Sequence, residues 1–155
     1  MKEIVYRENT ADKATLISYF ETMRENDEIH AVTDFPPYVD KLLTNATIFE
    51  AWSGAELVGF CALYCNREQR DFSFIPQINV SRSRRGVGLG RSLISQAASK
   101  SRSLGFGELI LMANKSNVRS IRFYLQCGFV AAGETGTQIH FAMNLNERNA
   151  DYDRV

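Results

Sequence analysis

The residues best placed to do chemistry lie between Ile78 and Gly90, in the order Ile-Asn-Val-Ser-Arg-Ser-Arg-Arg-Gly-Val-Gly-Leu-Gly. An apolar strand runs into a basic, glycine-rich turn. A helical pattern starts at once, with Leu89, Leu93 and Ala97 at four-residue steps and Ile94 and Ala98 beside them. Strand, glycine turn and helix N-terminus together make an anion site. The first N–H groups of a helix lack partners, the helix dipole favours negative charge, and glycines let a phosphate come close. A phosphorylated ligand is the expectation.

Three phosphate-binding patterns compete for this turn. A Walker A loop needs Lys-Ser/Thr after its last glycine, whereas Gly90 is followed by Arg91-Ser92. A dinucleotide fingerprint needs G-x-G-x-x-G and an acid about 20 residues on. Here Gly86, Gly88 and Gly90 give G-x-G-x-G, and the next strand ends in Ala113-Asn114 without an acid. The third pattern is Arg85-x-x-Gly88-x-Gly90, a loop that closes on a pyrophosphate. The backbone from Arg85 through Gly86, Val87, Gly88, Leu89 and Gly90 to Arg91 would form the cradle, with the Ser92 hydroxyl added.

Alternating strands and helices must position that turn. Ile4 to Arg7 reads as a strand, and Thr10 is placed to cap a helix with Leu16, Ile17, Phe20 and Met23 on its apolar face. Residues Asn26 to Pro37 read as a loop, followed by a short helix bearing Val39, Leu42 and Leu43. Thr47 to Trp52 and Leu57 to Tyr64 form a hairpin across Ser53-Gly54, and Phe72 to Val80 returns antiparallel. The helix after the glycine turn stops near Gly105. Glu108 to Ala113 reads as a strand buried on both sides, because its apolar run is nearly continuous. Val118 to Gln126 is a helix stopped by Gly128, and Phe129 to Ala132 and Ile139 to Leu145 are closing strands. The pattern is a mixed α/β sheet with helices on both faces. Residues 1–146 are expected to form a single domain, with 147–155 a polar, frayed tail.

Composition narrows the class of partner. The chain has 155 residues, 45% of them hydrophobic, and 18 basic residues balance 18 acidic ones. A zero formal charge gives no support for bulk binding to nucleic acid or to an anionic membrane. No apolar run is long enough to span a bilayer, and the N-terminus reads as a charged strand. Cys61, Cys65 and Cys127 are odd in number and the histidines are only His30 and His140, so neither a disulfide framework nor a metal site is expected. A reducing, cytoplasmic setting fits this cysteine usage.

Downstream, Asn117-Val-Arg-Ser-Ile-Arg-Phe123-Tyr124-Leu-Gln-Cys-Gly128-Phe129 supplies a second motif. With Arg85-x-x-Gly88-x-Gly90 one helix and one strand earlier, it resembles the GNAT superfamily of acyl-CoA-dependent N-acetyltransferases. The likeness is strongest from Phe72 to Phe129, and the element order fits the family over nearly the whole chain. The resemblance implies a mostly antiparallel sheet of about seven strands, splayed where coenzyme A enters between the strand ending at Val80 and that ending near Asn114. It implies acetyl-CoA as acyl donor and a primary amine, on a small molecule or a peptide, as acceptor. Ile78 and Val80 would offer backbone groups to the pantetheine arm, which pairs like an added strand. Asn117 would contact that arm, cap its helix, or do both. Tyr124 would be the general acid that protonates the departing thiolate. Transfer would then be direct, in a ternary complex of a monomer or homodimer. A covalent route through Cys127 is not expected, since that thiol sits beside the helix-ending glycine and reads as structural. The alternative is an acyl-CoA-binding or sensing module without turnover.

The proton acceptor for the amine is missing from its expected place. Several members of the family carry a Glu on the strand before the glycine loop. Here the stretch is Ser73-Phe74-Ile75-Pro76-Gln77, and Asp71 lies at its start. Glu28, His30 and Asp34 fall in the segment that borders the acceptor in the family, and each reads as a solvated loop residue. Phe35, Tyr38, Tyr64, Phe72, Asp34 and Glu68 give the expected acceptor pocket an aromatic and acidic lining suited to a cationic amine.

Overall fold

The structure, a computed structural model, describes residues 3–26, 28–29 and 32–146. His30 and the expected tail 147–155 lie outside the described residues. The elements run β1 (Ile4–Glu8), α1 (Lys13–Glu25), α2 (Phe35–Asn45), β2 (Thr47–Ser53), β3 (Glu56–Tyr64), β4 (Phe72–Val80), α3 (Leu89–Ser103), β5 (Glu108–Asn114), α4 (Val118–Gln126), β6 (Val130–Thr135) and β7 (Gln138–Asn144). A short 3-10 turn at Arg82–Arg84 joins β4 to α3. The strands form one seven-stranded sheet in the order β1-β2-β3-β4-β5-β7-β6. Every pairing is antiparallel except β4 with β5.

That one parallel pairing decides the shape of the molecule. β4 and β5 are in register only at Phe72–Glu108, Ser73–Leu109 and Phe74–Ile110. Beyond Phe74, β4 stays paired to β3 as far as Val80, while β5 stays paired to β7 as far as Asn114. The two middle strands therefore part, and the backbone edges facing the gap have no strand between them.

Two apolar layers hold the sheet. Leu16, Phe20 and Met23 of α1 and Phe35, Val39 and Leu42 of α2 pack on Ile48, Phe60 and Ala62. On the other face, Leu93, Ile94, Ala97 and Ala98 of α3 meet Cys61, Leu63, Ile75, Leu109, Leu111 and Phe141. α3 packs directly over Gly59 of β3, with Leu93 Cδ1 3.4 Å from where a Cβ would stand.

The structure corrects several local expectations. α1 is capped by Asp12, whose carboxylate accepts from Thr15 N at 2.8 Å, and not by Thr10. Thr10 is drawn away by the fully buried Glu50, which takes the N–H groups of Thr10 and Ala11, the Thr10 hydroxyl and the Trp52 indole N–H. Pro36 and Pro37 do not end a loop; they occupy the first turn of α2, where a missing N–H costs nothing and a fixed φ helps. β5 is not buried on both sides. Leu109, Leu111 and Ala113 are buried, but Met112 is 45% exposed, because α1 and α2 cover β2 and β3 and leave that face of β5 open.

Candidate functional site

The gap between β4 and β5 opens into a cleft of about 850 Å³. Its lining includes Ile75 to Val80 of β4, the turn at Gly86 and Gly88, the first residues of α3, Leu111 to Asn114 of β5, and Asn117 and Tyr124 of α4. The two motifs read from sequence thus meet across one cavity. Ile78 and Val80 stand on the β4 edge beyond its last pairing with β5.

The three glycines of the turn do different things. Gly86 and Gly88 have φ of 84° and 88°, a region L-residues avoid, and no atom lies within 4 Å of where either Cβ would stand. Gly90 has ordinary helical φ. It is small because Phe123 packs on it: a Cβ there would come within 2.9 Å of Phe123 Cζ. Phe123 is thus a packing ring that brings α4 against the start of α3. The cap of α3 is Gly88, with no side chain closing the helix end. The first-turn N–H groups are left to face the cleft mouth.

Other residues of the loop fall differently from the expectation. Leu89 is 4% exposed and packs with Ala51 and Val58. Val87 is 71% exposed, and neither it nor Ser92 lines the cleft. The Ser92 N–H is already bound to Gly88 O at 3.0 Å, one turn inside α3. The Arg85 N–H folds back on Arg82 O, so the open cradle begins at Gly86. The basic cluster is also less free than its sequence suggests. Arg84 donates to Ser53 Oγ at 3.2 Å, Arg82 donates to Asn26 O at 2.9 Å, and Arg85 donates to Val80 O at 3.2 Å.

Asn117 caps α4, accepting from Ser120 N at 3.2 Å through Oδ1, and it also lines the cleft. Tyr124 lies deeper. Its ring is 9% exposed and packs against Phe129 and Phe141 with centroids at 6.0 and 5.9 Å. Burial pushes its phenol above the ordinary tyrosine range, so the proton is retained. α4 ends where Gly128, at φ 101°, turns the chain so that Phe129 N reaches Tyr124 O at 3.1 Å. Cys127 is 1% exposed, and burial pushes its thiol up to about 11, as a structural thiol requires.

Sequence reasoning missed a polar network on the α1 side of β4. Glu28 is not a solvated loop residue: its side chain is 8% exposed. Its Oε2 accepts from Asn79 Nδ2 at 3.1 Å and pairs with Arg85 Nη2 at 2.9 Å. Asn79 Oδ1 in turn accepts from Tyr19 at 2.9 Å, and Tyr38 donates to Gln77 Oε1 at 3.3 Å. Desolvation raises both phenols to about 12. The only sequence sign of this network is a carboxylate followed at long range by arginines. The other expected acids are elsewhere. Asp71 is held by Arg67 at 2.6 Å, which lowers its pKa, and Asp34 sits at the N-terminus of α2. Phe35 is no pocket wall either; it is 2% exposed and packs against Phe20. Among the described residues, no group of His, Cys, Asp and Glu is arranged to hold a metal ion.

Splayed middle strands, a left-handed glycine turn and an uncapped helix start define a class: the chain belongs to the Acetyltransferase (GNAT) family, whose sequence profile matches residues 13–129. Among individual relatives, it is 31% identical over 91 residues to the Uncharacterized N-acetyltransferase YvbK of Bacillus subtilis (strain 168). That match covers 59% of this chain and 57% of the relative, so the chain spans little more than half of the curated protein it matches. YncA of Salmonella typhimurium, solved with its cofactor acetyl-CoA, superposes with a TM-score of 0.73 at 18% identity, over 95% of this chain and 96% of that one. Nourseothricin acetyltransferase gives 0.59 at 25% identity, over 65% and 66%.

Proposed function

We propose that this protein is an acetyl-CoA-dependent N-acetyltransferase acting on a primary amine by direct attack in a ternary complex. The observation that carries this reading is the parting of β4 and β5 beyond Phe74 and Ile110, directly next to an uncapped helix start. The residues there suit coenzyme A. Two left-handed glycines without neighbours leave room for a diphosphate, and first-turn N–H groups favour its charge. Bound there, acetyl-CoA would supply the activated acetyl group.

Position supports each proposed residue role. The N–H groups from Gly86 to Arg91 hold the diphosphate. The free backbone edge at Ile78 and Val80 pairs with the amides of the pantetheine arm, much as another strand would. Asn117 keeps α4 capped and offers its remaining amide group to the same arm. The amine attacks in its neutral form, its surplus proton passing to water, while Tyr124 gives its proton to the departing thiolate and recovers one from the acylated nitrogen; burial keeps the Tyr124 proton in place at neutral pH. We assign the protein to the cytoplasm on its unpaired cysteines; among the described residues no helix is long and apolar enough to cross a membrane.

Thermal melting with acetyl-CoA, coenzyme A, ATP and NAD in parallel tests the reading. A ligand at 100 times its dissociation constant adds about 2.7 kcal/mol, several degrees for a domain of this size. Stabilisation by acetyl-CoA and coenzyme A alone is expected, followed by thiol release in an amine screen. Stabilisation by ATP or NAD and not by coenzyme A overturns it. Coenzyme A binding without turnover of any amine would instead mark an acyl-CoA sensor.

A further inference from the structure

Resting on the acetyltransferase reading, we propose that Glu28 is the residue that binds the acceptor's ammonium, and that the acceptor is an amine with one positive charge. Among the described residues Glu28 is the one carboxylate lining the cleft, which carries six arginines. Its side chain is more than nine-tenths buried. Burying a carboxylate is costly unless its oxygens are satisfied. Here the two oxygens are served unequally: Oε2 has Arg85 and Asn79, whereas Oε1 is buried, is ion-paired with Arg82 at 3.3 Å and makes no hydrogen bond. The Arg82 ion pair to Oε1, through Nε, lacks hydrogen-bond geometry.

The location suits an acceptor. Glu28, Asn79 and Arg82 belong to the wall of the cleft and also to that of a second cavity of about 660 Å³, between α1 and the β2–β3 hairpin. Glu28 therefore stands where a molecule approaching from the α1 side meets the β4 edge. An N–H donor is what Oε1 lacks, and an ammonium supplies several. The charge balance fixes the class. A single carboxylate that already pairs with Arg85 at 2.9 Å and Arg82 at 3.3 Å can anchor at most one ammonium, while a second would meet only arginines. Monoamines and amino acids fit this arrangement, and polyamines and polycationic antibiotics do not. Arg82 and Arg85 account for the buried position of Glu28: they hold the carboxylate in place before any amine arrives.

Steady-state kinetics by thiol release, with 2-phenylethylamine, L-phenylalanine, spermidine and nourseothricin as probes, tests this. The expected result is a kcat/KM for 2-phenylethylamine or L-phenylalanine at least tenfold above that for the two polycations. Glu28→Gln should raise KM for the preferred probe at least tenfold with kcat changed less than threefold. Its dissociation constant for coenzyme A should stay equal to or tighter than wild type, since Arg85 loses a competing anion. Glu28→Asp should recover part of KM, and it provides the same comparison if Glu28→Gln does not fold. Preference for spermidine or nourseothricin, an unchanged KM in Glu28→Gln, or acetylation of none of the four by a protein that binds acetyl-CoA overturns the inference. Failure of the wild type to bind coenzyme A is a different result, and it removes the acetyltransferase reading itself.

Discussion

The two sides of the β4 strand are built from different material. On the α3 side, the proposed anion site is made of backbone. Its working parts are N–H groups, two left-handed glycines and a helix start, all within a dozen residues of one another in the chain. On the α1 side, the site is made of side chains. Tyr19 reaches Asn79 across 60 positions and Glu28 reaches it across 51. Local dihedral preferences suffice to build the first. The second exists only when α1, the segment after it and β4 have all packed together. A backbone site is therefore hard to alter by point substitution except at its glycines, whereas a side-chain network can be retuned one residue at a time.

The largest expected effect sharpens the comparison where the two sides meet. Tyr124→Phe keeps the ring against Phe129 and Phe141 and deletes only the phenol oxygen. Turnover should fall by ~10²–10⁴, the usual worth of general acid catalysis, with affinity for coenzyme A within twofold. Retained turnover would mean that backbone alone performs the transfer and Tyr124 is a core ring. A pH profile gives an independent check. The phenol's pKa is raised by burial, so its acid form persists to higher pH than that of a free tyrosine, near 10. Activity should therefore show no alkaline loss due to Tyr124 below pH about 10. A falling limb near pH 8 that disappears in Tyr124→Phe would contradict this.

Next in size is an attack on the backbone wall. Gly88→Val forces a β-branched residue to φ 88°, at a cost of about 1–2 kcal/mol, and fills space that a diphosphate needs. Isothermal titration should record an affinity for coenzyme A lower by ~10–100-fold, each tenfold being about 1.4 kcal/mol. An unchanged affinity would show that the arginine side chains, and not the turn, bind the phosphates. Asn117→Ala removes the α4 cap and should cost about 1 kcal/mol in chemical denaturation. A much larger loss of coenzyme A affinity than of stability would separate its ligand contact from its capping.

The smallest effect belongs to the α1 side. Tyr38→Phe deletes a long hydrogen bond to Gln77 and should change stability by about 0.5 kcal/mol. Coenzyme A affinity should not move. If it does, the two sides are coupled more tightly than their construction implies.

How much of this was legible in the chain varies with the range of the interaction. The glycine turn, its strand and its helix were readable because the pattern is local. So was the Asn117 to Phe129 segment, where cap, apolar face and terminating glycine sit in one stretch. The start of α1 was misread because Glu50, far along the chain, takes Thr10 out of the capping position. The exposed face of β5 was misread because apolar content alone cannot say which strands the helices will cover. Glu28 was misread as solvated because nothing near it in sequence announces Arg85 or Asn79.

By itself, then, the sequence determined the alternation of elements, the glycine turn and the motif pair that marks the family, since each depends on dihedral preferences and periodicities within a few turns of chain. The tertiary structure alone decided where β4 and β5 part, that Gly90 is small for Phe123 while Gly86 and Gly88 are small for their backbone, and which carboxylate enters the cleft. Those outcomes depend on desolvation and contact between distant segments, and such free energies arise only once the chain is packed.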